Sequence, residues 1–379
     1  MSKLAFESTT DLFIKNLSWN NVEKYLTQPT LVTAEVLFVT LTLLNVYIIH
    51  TLFKQVAPIP IFVTWWQLAQ GLYTAYLLGE FGTVYPKFAL FPPVNFDNSL
   101  LRSLALPTMA YVGMLAAANM LLSAAPTACT FSIMAAGAVA AHHAARFIAC
   151  GEEYMPLRWK GIGILLLAFA IGITDSNIAP GHILPIACGY AALAALFRAG
   201  CMDRCLHLVG GRGNTLHNHQ HLLGTLILPF IFLISGEITT FFARMPLNFT
   251  KIKTWHVWGC FVTIGALPFV KNVVSNRLIR RTGQGPWRCL ELVAVLLLFF
   301  IGSSSQPNTW QIWASTSFVV LGRLLVAIDV INNMSSNLLY SNSQSSEFGD
   351  PVGLDSPSTL QQTTTPFIQK EEAVDHEMT

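Results

Sequence analysis

Residues 31–53 read LVTAEVLFVTLTLLNVYIIHTLF, with Glu35 their only formal charge. At 1.5 Å of helical rise per residue this run reaches about 35 Å, enough to cross a hydrocarbon layer about 30 Å thick. The residues before it, 1–30, are polar, so it reads as an uncleaved membrane anchor rather than a signal peptide. Nine further apolar runs follow, over 60–78, 104–122, 127–148, 161–174, 182–197, 221–235, 255–274, 289–301 and 310–331. The runs 161–174, 221–235 and 289–301 are short for a bilayer, so each is expected to extend into its flanks.

Composition agrees with this reading. Of 379 residues 53% are hydrophobic and 11% charged, and the mean hydropathy is +0.51. A soluble domain carries about 25% charged residues, so a disordered chain is excluded and a water-soluble enzyme disfavoured. The net charge of +2 and the lack of a basic run give no sign of a nucleic-acid partner. Seven cysteines are an odd number, and Cys129, Cys188 and Cys260 lie inside apolar runs. They read as small core residues, with no disulfide framework.

The lysines and arginines orient the spans. With a cytosolic N-terminus, seventeen of the twenty-two fall on the cytosolic side and four opposite, with Arg323 inside the last run. The positive-inside rule then places both termini in the cytosol. Residues 1–30 form a cytosolic segment. Residues 335–379, rich in Ser, Thr and Gln and ending KEEAVDHEMT, read as a disordered cytosolic tail.

A repeat is visible inside the chain. Gly151-Glu-Glu-Tyr-Met-Pro156-Leu-Arg-Trp159 and Gly302-Ser-Ser-Ser-Gln-Pro307-Asn-Thr-Trp310 both read Gly-x4-Pro-x2-Trp. One lies between the fourth and fifth runs, the other between the ninth and tenth. The local chemistry is that of a turn, Gly ending one helix and Pro starting the next beside an interfacial Trp. The duplication divides the chain into 31–175 and 182–331. Five spans per copy is odd, so the second copy inserts inverted relative to the first. The expected fold class is an all-α membrane protein of ten transmembrane helices in two inverted five-helix repeats, an architecture that suits a transporter.

Several stretches carry a resemblance. They are Pro60-Ile-Phe-Val-Thr-Trp-Trp-Gln67, Gly113-Met114 with Asn119, Gly151-Glu152 with Trp159, Asn218-His219-Gln220 followed by Leu228-Pro229 and Gly236-Glu237, and Gly285-Pro286-Trp287-Arg288. Over residues 40–331 the chain resembles the nucleotide-sugar branch (solute carrier family 35) of the drug/metabolite transporter superfamily. It looks closest to the transmembrane protein 241 family and is similar to the GDP-mannose and GDP-fucose carriers. Asn218-His219-Gln220 stands where the GDP-sugar carriers have Tyr-Asn-Asn, and Gly285–Arg288 where they have Gly-Ala-Leu-Asn. Asn45-Val46 lacks the family's lysine, and the basic residue often found in helix four is absent. The resemblance implies a Golgi antiporter, not an enzyme, that exchanges a nucleotide sugar for a nucleoside monophosphate without a cofactor. UDP-N-acetylglucosamine is the favoured cargo and GDP-mannose or GDP-fucose the alternative. A membrane scaffold or receptor that kept the fold and lost transport is the rival reading. The partners are then substrate, counter-substrate and bilayer, with a homodimer allowed.

A nucleotide sugar needs cations for its diphosphate, amides or imidazoles for its base, and aromatics for stacking. Lys271, Asn272 and Asn276 cluster at the end of the eighth run, with Arg277, Arg280 and Arg281 beyond. They draw in phosphate or anchor the helix at the cytosolic boundary. Arg288 binds phosphate or sugar, oriented by Glu291, or else snorkels beside Trp287. Asn218, His219 and Gln220 offer base-binding edges or form a polar helix start. Asn119, Gln67 and Gln70 make interhelical hydrogen bonds or touch substrate. Glu35, and Asp329 paired with Arg323, read as structural charges rather than as a proton relay. Ala136, Ala140 and Ala144 mark close helix packing. His217, His219 and His221 with Cys201 and Cys205 raise a zinc site, but the histidine spacing of two splits the rings across helix faces.

Overall fold

Nine of the ten apolar runs lie in helix, and no strand occurs among the described residues. The computed structural model describes residues 29–55, 57–85, 93–150, 156–175, 181–210, 213–249, 254–282, 293–294, 296–297 and 310–347. The helices are α1 Pro29–Gln55, α2 Pro60–Val84, α3 Asn98–Ala124, α4 Ala128–Cys150, α5 Pro156–Thr174 and α6 Ile183–Ala195. A π-helical turn, Leu196–Cys201, joins α6 to α7 Met202–Leu208. Then come α8 Gly213–Ile234, α9 Glu237–Phe249, α10 Thr254–Thr282 and α11 Trp310–Glu347.

Local chemistry sets several starts. Pro opens α1, α2 and α5, where its missing N–H has no intrahelical partner to lose. Asp97 caps α3 by accepting the Ser99 N–H at 2.8 Å. Two short runs extend into their flanks as expected, α5 from Pro156 and α8 from Gly213. α11 continues past Ser335 to Glu347, so helix occupies the start of the segment expected to be disordered. Propagating an existing helix is far easier than nucleating one.

Six helices are long and apolar enough to cross a membrane. They are α1, α3, α4, α5, α6 with its π turn, and α11. α8 and α9, bent by 78° at their junction, make a seventh if taken as one broken span. α10 adds a shorter apolar stretch, Trp258–Lys271. The expected ninth span lies almost wholly outside the described residues. The chain is an all-helical, multi-pass membrane protein.

Helix packing is densest between α5 and α11, followed by α4 on α6, α2 on α8, α3 on α6 and α4 on α5. α10 packs on both α1 and α2, and α8 also meets α3. Ala136 and Ala140 lie against Ile162, Leu165 and Ala168, which is the close approach their spacing predicts. Lipid tails are as apolar as leucine, so small residues and interhelical hydrogen bonds hold such a bundle together. Asp329 of α11 accepts from Arg158 Nε of α5 at 2.8 Å, which corrects the expected pairing with Arg323. Positions six apart on a helix point about 120° away from each other, whereas α5 lies alongside.

Candidate functional site

α2 is the most cross-linked helix described. Trp65 Nε1 donates to the Thr225 carbonyl of α8 at 3.1 Å, and Trp66 Nε1 to the Phe261 carbonyl of α10 at 2.8 Å. Adjacent residues point about 100° apart on a helix, so two neighbouring tryptophans reach two different helices. Gln70 Nε2 donates to the Val262 carbonyl at 3.1 Å. From α3, Asn119 Nδ2 donates to Thr64 Oγ1 at 2.8 Å and Gln67 Oε1 at 3.1 Å. Thr64 and Asn119 are buried. The interhelical reading of Asn119, Gln67 and Gln70 is therefore observed directly.

The three candidates on α8 differ in environment. His219 is 1% exposed. Its Nδ1 lies 2.7 Å from the Thr215 carbonyl and its Nε2 accepts the Asp97 N–H at 3.2 Å. That pairing puts the proton on Nδ1 and commits both ring nitrogens to backbone. The ring also meets Phe96 edge-on at 5.5 Å. Gln220 is buried, and its amide nitrogen has no hydrogen-bond partner among the described residues. Asn218 is half-buried. Of the three, Gln220 has the greatest unmet bonding capacity.

The rings of His217 and His221 lie 3.8 Å apart between centroids, tilted by 50°. His221 Nδ1 lies 3.1 Å from the Leu68 carbonyl, and a Cβ on Gly71 would come within 2.7 Å of its ring. His219 instead faces the start of α3. No group of three or more metal-ligating side chains gathers among the described residues.

Lys271 is half-buried on α10, its Nζ 5.6 Å from the centre of the Phe38 ring on α1, a cation–π contact. The structure thus sets Lys271 against α1 and His219 against α3. Asn272 and Asn276 lie on α10, but their side chains are outside the described ones, as are Gly285 and Arg288 altogether. At the start of α3, Asp97 also accepts the Ser99 hydroxyl at 2.8 Å. The Ser99 N–H and O–H together hold its carboxyl below the usual aspartate value.

Glu237, quoted in the sequence only for its likeness to other carriers, takes a larger part than expected. Its two oxygens accept the Ile61 N–H at 3.1 and 3.0 Å, and one accepts the Phe62 N–H at 3.2 Å. A lone acidic residue just after an apolar run was the available signal, but its partner is 176 positions away. Comparison of the chain with protein-family models and with curated proteins finds no match.

Proposed function

We infer that the chain is a carrier of ten spans in two inverted five-helix repeats, working by alternating access. The observation that carries this reading is the pattern of helix pairing. Numbering α6 to α7 as the sixth span makes α8 the seventh, α10 the eighth and α11 the tenth. A shift of five spans then turns α3 on α6 into α10 on α1, and α3 on α8 into α10 on α2. It maps α2 on α8 and α5 on α11 onto themselves. It also turns α4 on α6 into the ninth span on α1, where Ala294 packs with Phe38. These matched pairs support the repeat reading, although α2 on α3 has no extensive counterpart in α8 on α10. Inverted repeats place a solute site at their interface near the membrane midplane; in this reading that interface is α2 on α8, with Gln67 half-buried and Asn119 and Gln220 buried beside it.

The cargo we propose is a nucleotide sugar, UDP-N-acetylglucosamine before GDP-mannose or GDP-fucose, exchanged for a nucleoside monophosphate. The membrane is that of the Golgi, with both termini cytosolic. This rests on the sequence resemblance and on the position of the cation Lys271 on α10, with Arg288 as its partner on the diphosphate. Differential affinity for the two faces moves the carrier, and no bond is broken.

The test is uptake by proteoliposomes holding the purified chain. UDP-N-acetylglucosamine outcompeting GDP-mannose supports the assignment, and the reverse order restores the GDP-sugar alternative. Lys271→Ala and Arg288→Ala should each weaken uptake roughly 10-fold or more, as lost charge-assisted hydrogen bonds do. The double substitution should lose less than the two combined. Normal uptake by both single variants would leave them as membrane-boundary anchors.

A further inference from the structure

The start of α2 carries a contact that no sequence motif announces. The first N–H groups of any helix lack intrahelical acceptors. At α2 the N-cap residue is Ile59, which offers no side-chain hydrogen bond. Glu237 supplies the missing cap from across the fold, and it is the first residue of α9. Its neighbour Gly236 has φ +76°, a left-handed conformation that glycine adopts without steric cost. α9 leaves there at 78° to α8. One turn into α9, Phe241 sets its ring 4.7 Å from Phe62 of α2 and 6.4 Å from Phe232 of α8. Phe62 in turn meets Phe261 of α10 edge-on at 5.9 Å. α9 has one extensive helix neighbour, α8.

We propose that α9 is a strap that closes this end of the carrier, with Gly236 as its pivot and the Glu237 cap on α2 as its latch. Thr64 and Gln67 lie one and two turns beneath the latch on α2. Beneath the aromatic rings, then, the first groups a solute would meet are the polar ones bonded to Asn119. Releasing Glu237 frees two backbone N–H groups and lets Phe241 leave its seat against Phe62, exposing that ladder. The latch suits a gate because a carboxylate on a helix N-terminus is a strong contact whose partners water can also satisfy. The word gate rests on the carrier reading, but the movement does not depend on which solute is carried.

The experiment is cysteine labelling without any solute. Thr64→Cys is placed in a chain whose native cysteines are replaced and reconstituted in sealed vesicles of known orientation. A membrane-impermeant maleimide is then added on the side where α2 begins. Removing the latch with Glu237→Ala should raise the labelling rate about tenfold, the weight of one charge-assisted contact. Glu237→Gln, which keeps a neutral acceptor, should raise it less. Phe241→Ala, which leaves the latch but empties the ring's seat, gives a second route to the same increase should Glu237→Ala not fold. Ser315→Cys, buried on α11, should label at the parental rate in every background and so reports any general loosening. Equal Thr64→Cys labelling with and without Glu237 and Phe241 would overturn the strap. Raised labelling together with a failure to take up any nucleotide sugar would sink the cargo assignment and leave the strap standing.

Discussion

Gly161 and Gly322 meet backbone to backbone. A Cβ on Gly161 would lie 2.9 Å from the Gly322 carbonyl oxygen, and one on Gly322 would lie 2.9 Å from the Gly161 carbonyl oxygen. Each would also strike a side chain of the opposite helix, Val326 at 2.8 Å or Leu165 at 2.7 Å. The contact is reciprocal, so neither helix can accept a methyl group unless the pair separates.

Gly161→Ala and Gly322→Ala should therefore each destabilise the protein by about 1–3 kcal/mol, the usual cost of overpacking. The double variant should cost less than the two together, because one separation of the helices accommodates both methyl groups. Thermal unfolding in detergent measures this. Additive losses would mean that the two contacts are independent.

The ion pair between Arg158 and Asp329 fastens the same two helices. Asp329→Asn and Arg158→Gln should each lower stability, and a double-substitution cycle should return a coupling of about 1–3 kcal/mol. Exchanging the two, as Arg158→Asp with Asp329→Arg, should recover part of the loss. A coupling near zero would show that Asp329 does not depend on Arg158.

His219 and Gln220 are neighbours in sequence with opposite expected phenotypes. His219→Ala removes a ring whose two nitrogens bond to backbone and should cost about 1–3 kcal/mol. Nucleotide-sugar stabilisation of the variant should persist, because the ring presents no free nitrogen. Gln220→Leu removes a buried amide whose nitrogen has no partner among the described residues and should leave stability unchanged or raise it, while reducing the stabilisation by ligand. Thermal shift with and without UDP-N-acetylglucosamine separates the two, since a ligand that binds the folded state raises its stability.

The cap on α3 gives a pH signature. The Asp97 carboxyl is held below its usual value by hydrogen bonds from Ser99, so the folded state binds its proton less readily than the unfolded chain. Its stabilising contribution is therefore complete above the ordinary aspartate range and is lost as pH falls through the depressed value. Asp97→Asn should flatten the acid side of the stability profile between about pH 5 and 3. An unchanged slope would show that other carboxylates dominate that window.

Six or seven of the expected spans were legible because hydrophobic content over twenty residues is a local property. So was the packing of Ala136 and Ala140, since a spacing of four marks one helix face before any neighbour is known. The interhelical role of Asn119 followed from the cost of burying an amide, although its bond to Thr64 did not. What stayed hidden was pairing at a distance. Asp329 had Arg323 close by in sequence and Arg158 close by in space, and only the docking of α5 on α11 decides between them. Glu237 carries no sign in its own surroundings that the helix it caps begins at Pro60. His219 read as a ligand-binding edge because imidazole suits that use, while its actual partners depend on where α3 starts. The proposed site remained indistinct because, of its two cations, only Lys271 lies among the described residues.

Within Leu196–Cys201 the chain winds wider than in the helices on either side. Tightening that turn by deleting one residue would not merely shorten the span. It would rotate the remainder of that span by roughly 100°, swinging Cys205 and Val209 away from Leu104 and Leu216, with which they form one buried cluster. The connections between helices can gain or lose residues without such an effect. In this span length and rotational phase are locked together, so a family descended from this chain would be expected to vary its loops and to keep this count.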